Sequence, residues 1–309
     1  MNVLLFGAAG FIGTNLALAL AADPQVQLTL ADVNKEYFHP DLQNKGFRLV
    51  ETPIGVDTDF EALFAGQDVV YHLVSTTVPT TSNQQIADEL TANVVMTAKL
   101  LDGCVKSGVK KVVFISSGGT VYGKQSGCPL HEDTPTNPIS SYGVQKITIE
   151  KLLHLYHCMH GLDYRVVRLA NPYGPYQRPN GILGAVTTFT YKALQNQEIS
   201  VFGDGSVVRD FIYIDDAVRA IITIANGDAE HKIFNLGSGY GTSIRQVLRA
   251  IENALQIPLN IAWLPGRPVD VPVNYLDISR YEAAYGPLDP VALEEGILKT
   301  AAFLKANNL

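Results

Sequence analysis

The chain has 309 residues, 47% of them hydrophobic, enough to bury a full core as one large α/β unit or roughly two domains. A formal charge of −7 and a pI near 5.5, with no run rich in Lys or Arg, argue against nucleic acid as a partner. Cys104, Cys128 and Cys158 are odd in number and lack CxxC spacing, so no disulfide framework, thiolate zinc site or other metal is expected and a reducing cytoplasm fits. The apolar start Met1–Phe6 has no charged lead-in, and no apolar stretch reaches the ~18 residues of a membrane span, so a soluble protein without a membrane partner is expected.

Val3 to Phe6 is a short apolar run, followed by Gly7-Ala8-Ala9-Gly10-Phe11-Ile12-Gly13 and an Ala- and Leu-rich stretch, Thr14 to Ala22. This reads as strand, glycine turn, helix. A second apolar run, Val26 to Ala31, ends at Asp32. Further apolar runs at Asp68 to Leu73, Lys111 to Ile115 and Tyr164 to Leu169 are separated by helical stretches near 84–107 and 141–160. Strands apolar throughout and alternating with helices predict a doubly wound, Rossmann-like parallel sheet. Beyond 170 the pattern changes: Pro172, Pro175 and Pro179 precede a helix near 183–196, a return segment at about 210–225, the run Phe234 to Leu236, a helix at 243–255, a Pro-rich stretch at 265–272 and a last helix near 291–305. The expected division is a dinucleotide-binding domain over 1–170 with the return segment 210–225, and a smaller, mostly carboxy-terminal α/β substrate lobe from 171–209 and 226–309.

Glycines between a first strand and first helix let backbone approach a pyrophosphate at the helix amino terminus. Alone, such a turn is equally a tight strand-to-helix connection. Asp32, closing the second strand, adds a carboxylate suited to the adenosine ribose hydroxyls and repulsive to a 2′-phosphate, so NAD is expected rather than NADP. Tyr142 and Lys146 are four apart on a predicted helix and share a face. A free tyrosine is a poor base at neutral pH, and an adjacent ammonium together with a cationic nicotinamide would stabilise its phenolate. A Tyr and a Lys on an ordinary amphipathic helix are the alternative. His154, His157 and His160 drift around one helix without a completing ligand, His72 follows strand periodicity as a core residue, and Trp263 is uninformative.

The GxxGxxG spacing and the later Tyr142-Gly143-Val144-Gln145-Lys146 resemble the extended short-chain dehydrogenase/reductase family over essentially the whole chain. Arg168-Leu169-Ala170-Asn171-Pro172-Tyr173-Gly174-Pro175, Val201-Phe202-Gly203-Asp204-Gly205, Arg209-Asp210-Phe211-Ile212-Tyr213 and Arg267-Pro268-Val269-Asp270-Val271 resemble segments of its NAD-dependent nucleotide-sugar epimerases, such as those acting on UDP-glucose. The resemblance implies a catalytic Tyr142 and Lys146 and a cofactor site of Gly7, Gly10, Phe11, Ile12, Gly13, Asp32, Asn34, Leu73, Val74, Ser75, Asn93 and Leu169. Asp57 is expected at adenine, displaced by one residue from the family's Gly-Asp turn. For a UDP-sugar it implies Asn171, Arg209 and Arg267 at the diphosphate, Asp270 at the ribose, Ile182, Ser200 and Phe202 at the base, and Asn274 near carbon 2 of the sugar. Arg178 stands where UDP-glucuronate 4-epimerases hold a carboxylate, although a solvated loop arginine is the alternative.

One position departs from the family. In Ser116-Ser117-Gly118-Gly119-Thr120-Val121-Tyr122-Gly123, Gly118 falls where a catalytic Ser or Thr is expected. Thr120 is the first substitute, also expected at the substrate, and Ser117 the second, with a water held by the Gly118 backbone also open. The Asp-Glu pair of the family's 4,6-dehydratases is absent, which disfavours that reaction. The resemblance therefore implies a 4-epimerase that interconverts gluco- and galacto-configured UDP-sugars through a 4-keto intermediate. UDP-glucuronate 4-epimerization, a reductase or dehydrogenase of the same family, and a non-catalytic NAD-binding scaffold stay open. The helices near 84–107 and 141–160 resemble those that pair into a four-helix bundle, so a homodimer is expected.

Overall fold

The computed structural model describes residues 1–78, 82–179, 184–266 and 271–307. Strands β1 (Asn2–Phe6), β2 (Gln27–Asp32), β3 (Arg48–Glu51), β4 (Val69–His72), β5 (Lys111–Ser117) and β6 (Asp163–Leu169), with a seventh at Ile233–Leu236, form one sheet. Every pairing is parallel, and from one edge the order is Ile233–Leu236, β6, β5, β4, β1, β2, β3. The chain winds outward from β1 in one direction and then from β4 in the other, which leaves a crevice beyond their carboxyl ends.

Strand alternation divides the core between the sheet's two faces. Val3, Leu5, Leu30, Val113 and Val167 pack with Leu16 of helix α1 (Phe11–Leu20) and Ile221 of the helix Ile214–Asn226. Leu4, Phe6, Val70, Val112, Phe114 and Val166 pack with Leu100 and Leu101 of Met96–Lys106 and Ile149 and Leu153 of Ser141–His160. The helix expected near 84–107 is Ile86–Leu90 and Met96–Lys106 joined by a π-helical turn at Thr91–Val95. β3 has no counterpart in the sequence reading: it lies at the edge, with Arg48 and Glu51 exposed and Leu49 and Val50 only half-buried, so it lacks the apolar run of a central strand.

The smaller lobe is built from short pairings: Asn171–Tyr173 with Phe211–Tyr213, Ile199–Phe202 with Ile261–Leu264, and Val208–Arg209 between Thr242–Ser243 and Val273–Asn274. Its helices are Ala185–Leu194, Ile244–Leu255 and Leu293–Ala306. One boundary needs correction. Residues 226–309 do not all belong to the lobe, because Ile233–Leu236 closes the main sheet beside β6, with Phe234 and Leu236 fully buried. A short apolar run carries no mark of which sheet it will join. Phe234→Ala should lower stability by about 3–5 kcal/mol, as a buried aromatic does. A change under about 1 kcal/mol in urea unfolding would show that this strand is not part of the core.

Candidate active site

Two cavities, of about 750 Å³ and 630 Å³, open at the carboxyl ends of the strands. They share Gly7, Gly10, Phe11, Leu73, Ser75 and Gln177 as a common wall, so together they form one trench. The glycine turn sits at its centre. Gly7 has φ +93°, favourable for glycine, and the Gly7 and Ala8 amides bond the Ala31 carbonyl. A Cβ on Gly13 would come within 2.6 Å of the Gly7 carbonyl oxygen, so only glycine lets α1 approach the turn this closely. Gly10 precedes helix α1 and offers no side-chain cap, and the first turn of the helix holds no acidic residue. First-turn amides that an α-helix cannot satisfy therefore face the trench, the arrangement that receives a phosphate.

The smaller cavity is bounded by Asp32 and Val74. The Asp32 carboxylate accepts from the Ala9 and Val33 amides, both at 2.8 Å, so it fastens the glycine turn to the end of β2. Asn34 instead caps a short helical turn by accepting from the Glu36 amide, and Asp57 is exposed to solvent; neither lies on the cavity wall. Asn93 is buried and also off the wall, where it braces the β4 loop: its oxygen accepts from the Thr76 amide at 2.9 Å and its amide donates to the Thr76 hydroxyl at 2.8 Å. It sits in the π-helical turn, a feature that re-aims side chains and often accompanies functional sites. Tyr37, Ile54, Thr76 and Val78 also line that wall, and no spacing in the sequence marks them.

The larger cavity holds Tyr142 with Ser117, Ile12, Gly13, Leu169 and Asn171, and runs on to Ser200, Phe202 and Arg209 in the lobe. Tyr142 and Lys146 share one face of their helix, the Lys146 ammonium lying 5.5 Å from the centre of the Tyr142 ring. Lys146 is buried and donates to the Ile115 carbonyl at 2.8 Å. Burial pushes the Tyr142 phenol up to about 12. It draws Lys146 down to about 8, against the opposing pull of Glu150. His72 is a core residue, its ring bonded to Thr97 at 2.8 Å and held down to about 3 by burial and the Lys146 charge.

The two candidate hydroxyls are placed differently. Ser117 ends β5 on the cavity wall with Tyr142, whereas Thr120 is off that wall with its hydroxyl buried and unpartnered. Gly118 faces inward. Its amide donates to the Leu169 carbonyl, and a Cβ there would lie 2.4 Å from Leu276 Cδ1 and 3.0 Å from the Arg168 carbonyl oxygen.

The Asn171 side chain donates to the Asp210 carbonyl, and Arg209 donates to the Val208 and Val271 carbonyls, which holds its guanidinium at the wall. Asn274 is buried beside Arg209 in the strand pairing, its amide 3.4 Å from the Gly119 carbonyl, and is not on the wall. Arg178 lines the smaller cavity, with Asp32 and the glycine turn, and is not on the wall that holds Tyr142. Ile182, Arg267 and Asp270 fall outside the described residues. Gln177 lines both halves, with its carbonyl oxygen buried and unpartnered, and no spacing in the sequence marks it out.

Gly118→Ser should overpack this corner and cost about 1–3 kcal/mol by thermal unfolding, with Leu276→Ala in the same chain recovering most of it. A fully stable single variant would show that Leu276 does not fill the space.

The sequence model of the NAD dependent epimerase/dehydratase family matches residues 3–237. A UDP-glucose 4-epimerase of Mycolicibacterium smegmatis is 36% identical over 99% of both chains. Among solved structures, the UDP-glucose 4-epimerase of Thermotoga maritima with UDP-glucose superposes with a TM-score of 0.92 at 32% identity, covering 100% of both chains. The UDP-glucuronic acid 4-epimerase of Bacillus cereus, in complex with UDP-glucuronic acid and NAD, gives 0.88 at 28%, covering 99% of this chain and 100% of that one. A glycine turn with free helix amides, a carboxylate at the end of β2 and a paired tyrosine and lysine, in a chain matched over this length, place the protein in the NAD dependent epimerase/dehydratase family.

Proposed function

We propose that the chain is an NAD-dependent UDP-sugar 4-epimerase whose substrates are UDP-hexoses. The observation that carries this reading is the continuity of the larger cavity, which puts Tyr142 and Ser117 on one wall with the glycine turn and continues to Arg209, Ser200 and Phe202. The turn, the first-turn amides of α1 and Asp32 would hold NAD, which when bound supplies a reversible hydride acceptor. Arg209 supplies charge for a diphosphate, and Ser200 and Phe202 offer polar and aromatic surface to a base.

Tyr142 takes the proton of the sugar 4-hydroxyl and returns it after the 4-keto sugar has turned in the cavity. A phenol at about 12 is a weak base at neutral pH, so the phenolate must be drawn out by positive charge. Lys146 provides one such charge from within the protein. Ser117 is the hydroxyl placed to shuttle the proton between sugar and Tyr142. A uronate reading is weaker because Arg178, its expected carboxylate partner, belongs to the dinucleotide half of the trench.

Incubated without added cofactor, the purified protein should convert UDP-glucose to its galacto-configured partner, resolved by chromatography. No conversion of UDP-glucose, UDP-N-acetylglucosamine or UDP-glucuronate, even with added NAD, would sink the assignment. Tyr142→Phe should lower kcat by about 10²–10⁴-fold, the usual contribution of a general base, while the protein still carries NAD. Ser117→Ala should lose more activity than Thr120→Val; the reverse order would return the relay to Thr120.

We further propose that the protein works as a homodimer. Val144, Leu155 and Met159 stand exposed along the helix Ser141–His160, and Val95 lies exposed on the adjoining π-helical turn, an apolar patch suited to helix-to-helix pairing. Leu155→Glu should reduce the mass in light scattering to that of one 33.5 kDa chain. A wild-type protein already monomeric would refute the dimer. No helix among the described residues is long and apolar enough to cross a membrane; the three free cysteines suit a cytoplasmic setting.

A further inference from the structure

The segment Pro175–Arg178 leaves the substrate lobe and lies along the dinucleotide half of the trench, where Tyr176, Gln177 and Arg178 face the wall made by Gly7, Gly10 and Asp32. It is fastened at two points. Asn15 of α1 donates from its side-chain amide both to the Phe11 carbonyl at 2.9 Å and to the Pro175 carbonyl at 3.0 Å, tying the segment to the first turn of that helix. Tyr176 donates its hydroxyl to the Asp41 carboxylate at 2.6 Å. Its ring lies 4.8 Å from that of His39 and 4.7 Å from that of Phe303, so it joins the amino-terminal domain to the last helix.

Tyr176 also has φ +67°, a left-handed conformation that a bulky side chain adopts only when its surroundings enforce it. Strain of this kind at a ligand wall is a reason to look for a binding role. The chemistry next to it supplies one. Arg178 is the only cation among the described residues lining this cavity, and it shares the wall with a turn shaped for a diphosphate.

We infer that Pro175–Arg178 is a clasp over the bound dinucleotide, latched by Tyr176 against Asp41, His39 and Phe303, and that it delivers the Arg178 guanidinium to the cofactor diphosphate. This inference rests on the cofactor reading above. A 4-epimerase must keep its cofactor through both halves of each turnover, and a segment crossing from lobe to domain slows its escape without a larger glycine-turn site. Arg178 is then a cofactor residue, and the substrate carboxylate role expected from the sequence does not apply.

The test is the exchange of bound NAD against radiolabelled NAD in the purified full-length protein. Arg178→Gln and Tyr176→Ala should each exchange about ten-fold faster than wild type or more, as expected for loss of a charge-assisted contact or its support. Arg178→Lys should stay closer to wild type than Arg178→Gln. Tyr176→Phe, which keeps the ring stack and removes only the hydroxyl bond, should fall between wild type and Tyr176→Ala, and gives a second reading if the alanine variant fails to fold. Binding of UDP-glucuronate and UDP, measured by calorimetry, should change little in Arg178→Gln. Wild-type exchange rates in Arg178→Gln and Tyr176→Phe would overturn the clasp while leaving the epimerase reading intact. So would loss of UDP-glucuronate binding in Arg178→Gln with NAD exchange unaltered. A wild-type protein that binds no NAD would overturn both.

Discussion

A lysine excluded from water must still be kept charged if it is to help a tyrosine lose its proton, and much of the interior answers to that requirement. Lys146 lies against the Phe114 and Tyr142 rings, 4.7 Å and 5.5 Å from their centres, with the Ile115 carbonyl as its acceptor. Neutralisation is the usual escape for a buried amine. One helical turn on, Glu150 opposes it with a carboxylate that is itself buried and satisfied: Ser116 donates to it at 2.6 Å and Arg168 pairs with it at 2.7 Å.

That carboxylate begins a chain of polar contacts through the molecule. Arg168 donates to the Tyr122 hydroxyl, Tyr122 donates to Asn235, and the Asn235 amide groups reach Glu132 and the carbonyls of Leu130 and Asp277. A buried ion pair on its own is weak evidence for stability, since desolvation offsets much of the attraction. Here its worth is positional. The network joins β5, β6, the helix Ser141–His160 and the strand Ile233–Leu236, so the electrostatics beneath Lys146 and the closure of the sheet are one arrangement.

Sequence reading located the parts of the fold whose geometry is written in local spacing. The strand before Gly7, the glycines themselves, Asp32 at the end of a strand, and Tyr142 four residues before Lys146 all specify their geometry over a few neighbouring positions. It failed where the answer depends on which way a backbone turns. Ser117 and Thr120 are both hydroxyls near the end of β5, and only the folded chain shows that Ser117 lines the cavity while the Thr120 hydroxyl is buried off its wall. Asn93 was legible as a residue of the cofactor region, but its bracing of Thr76 depends on a π-helical turn that carries no residue signature. Arg178 stood between a carboxylate partner and a solvated loop arginine in the sequence, and the side of the trench it lines follows the left-handed turn at Tyr176.

The contact between Gly118 and Leu276 also bears on how such a site can change through descent. The two positions are distant in the chain but contend for the same few cubic ångströms. A lineage that gained a hydroxyl at 118 by one replacement would lose stability unless 276 were shortened as well. A lineage with a smaller residue at 276 would keep only the closer approach to the Arg168 carbonyl as an obstacle. Glycine at 118 and a branched side chain at 276 should therefore tend to be inherited together.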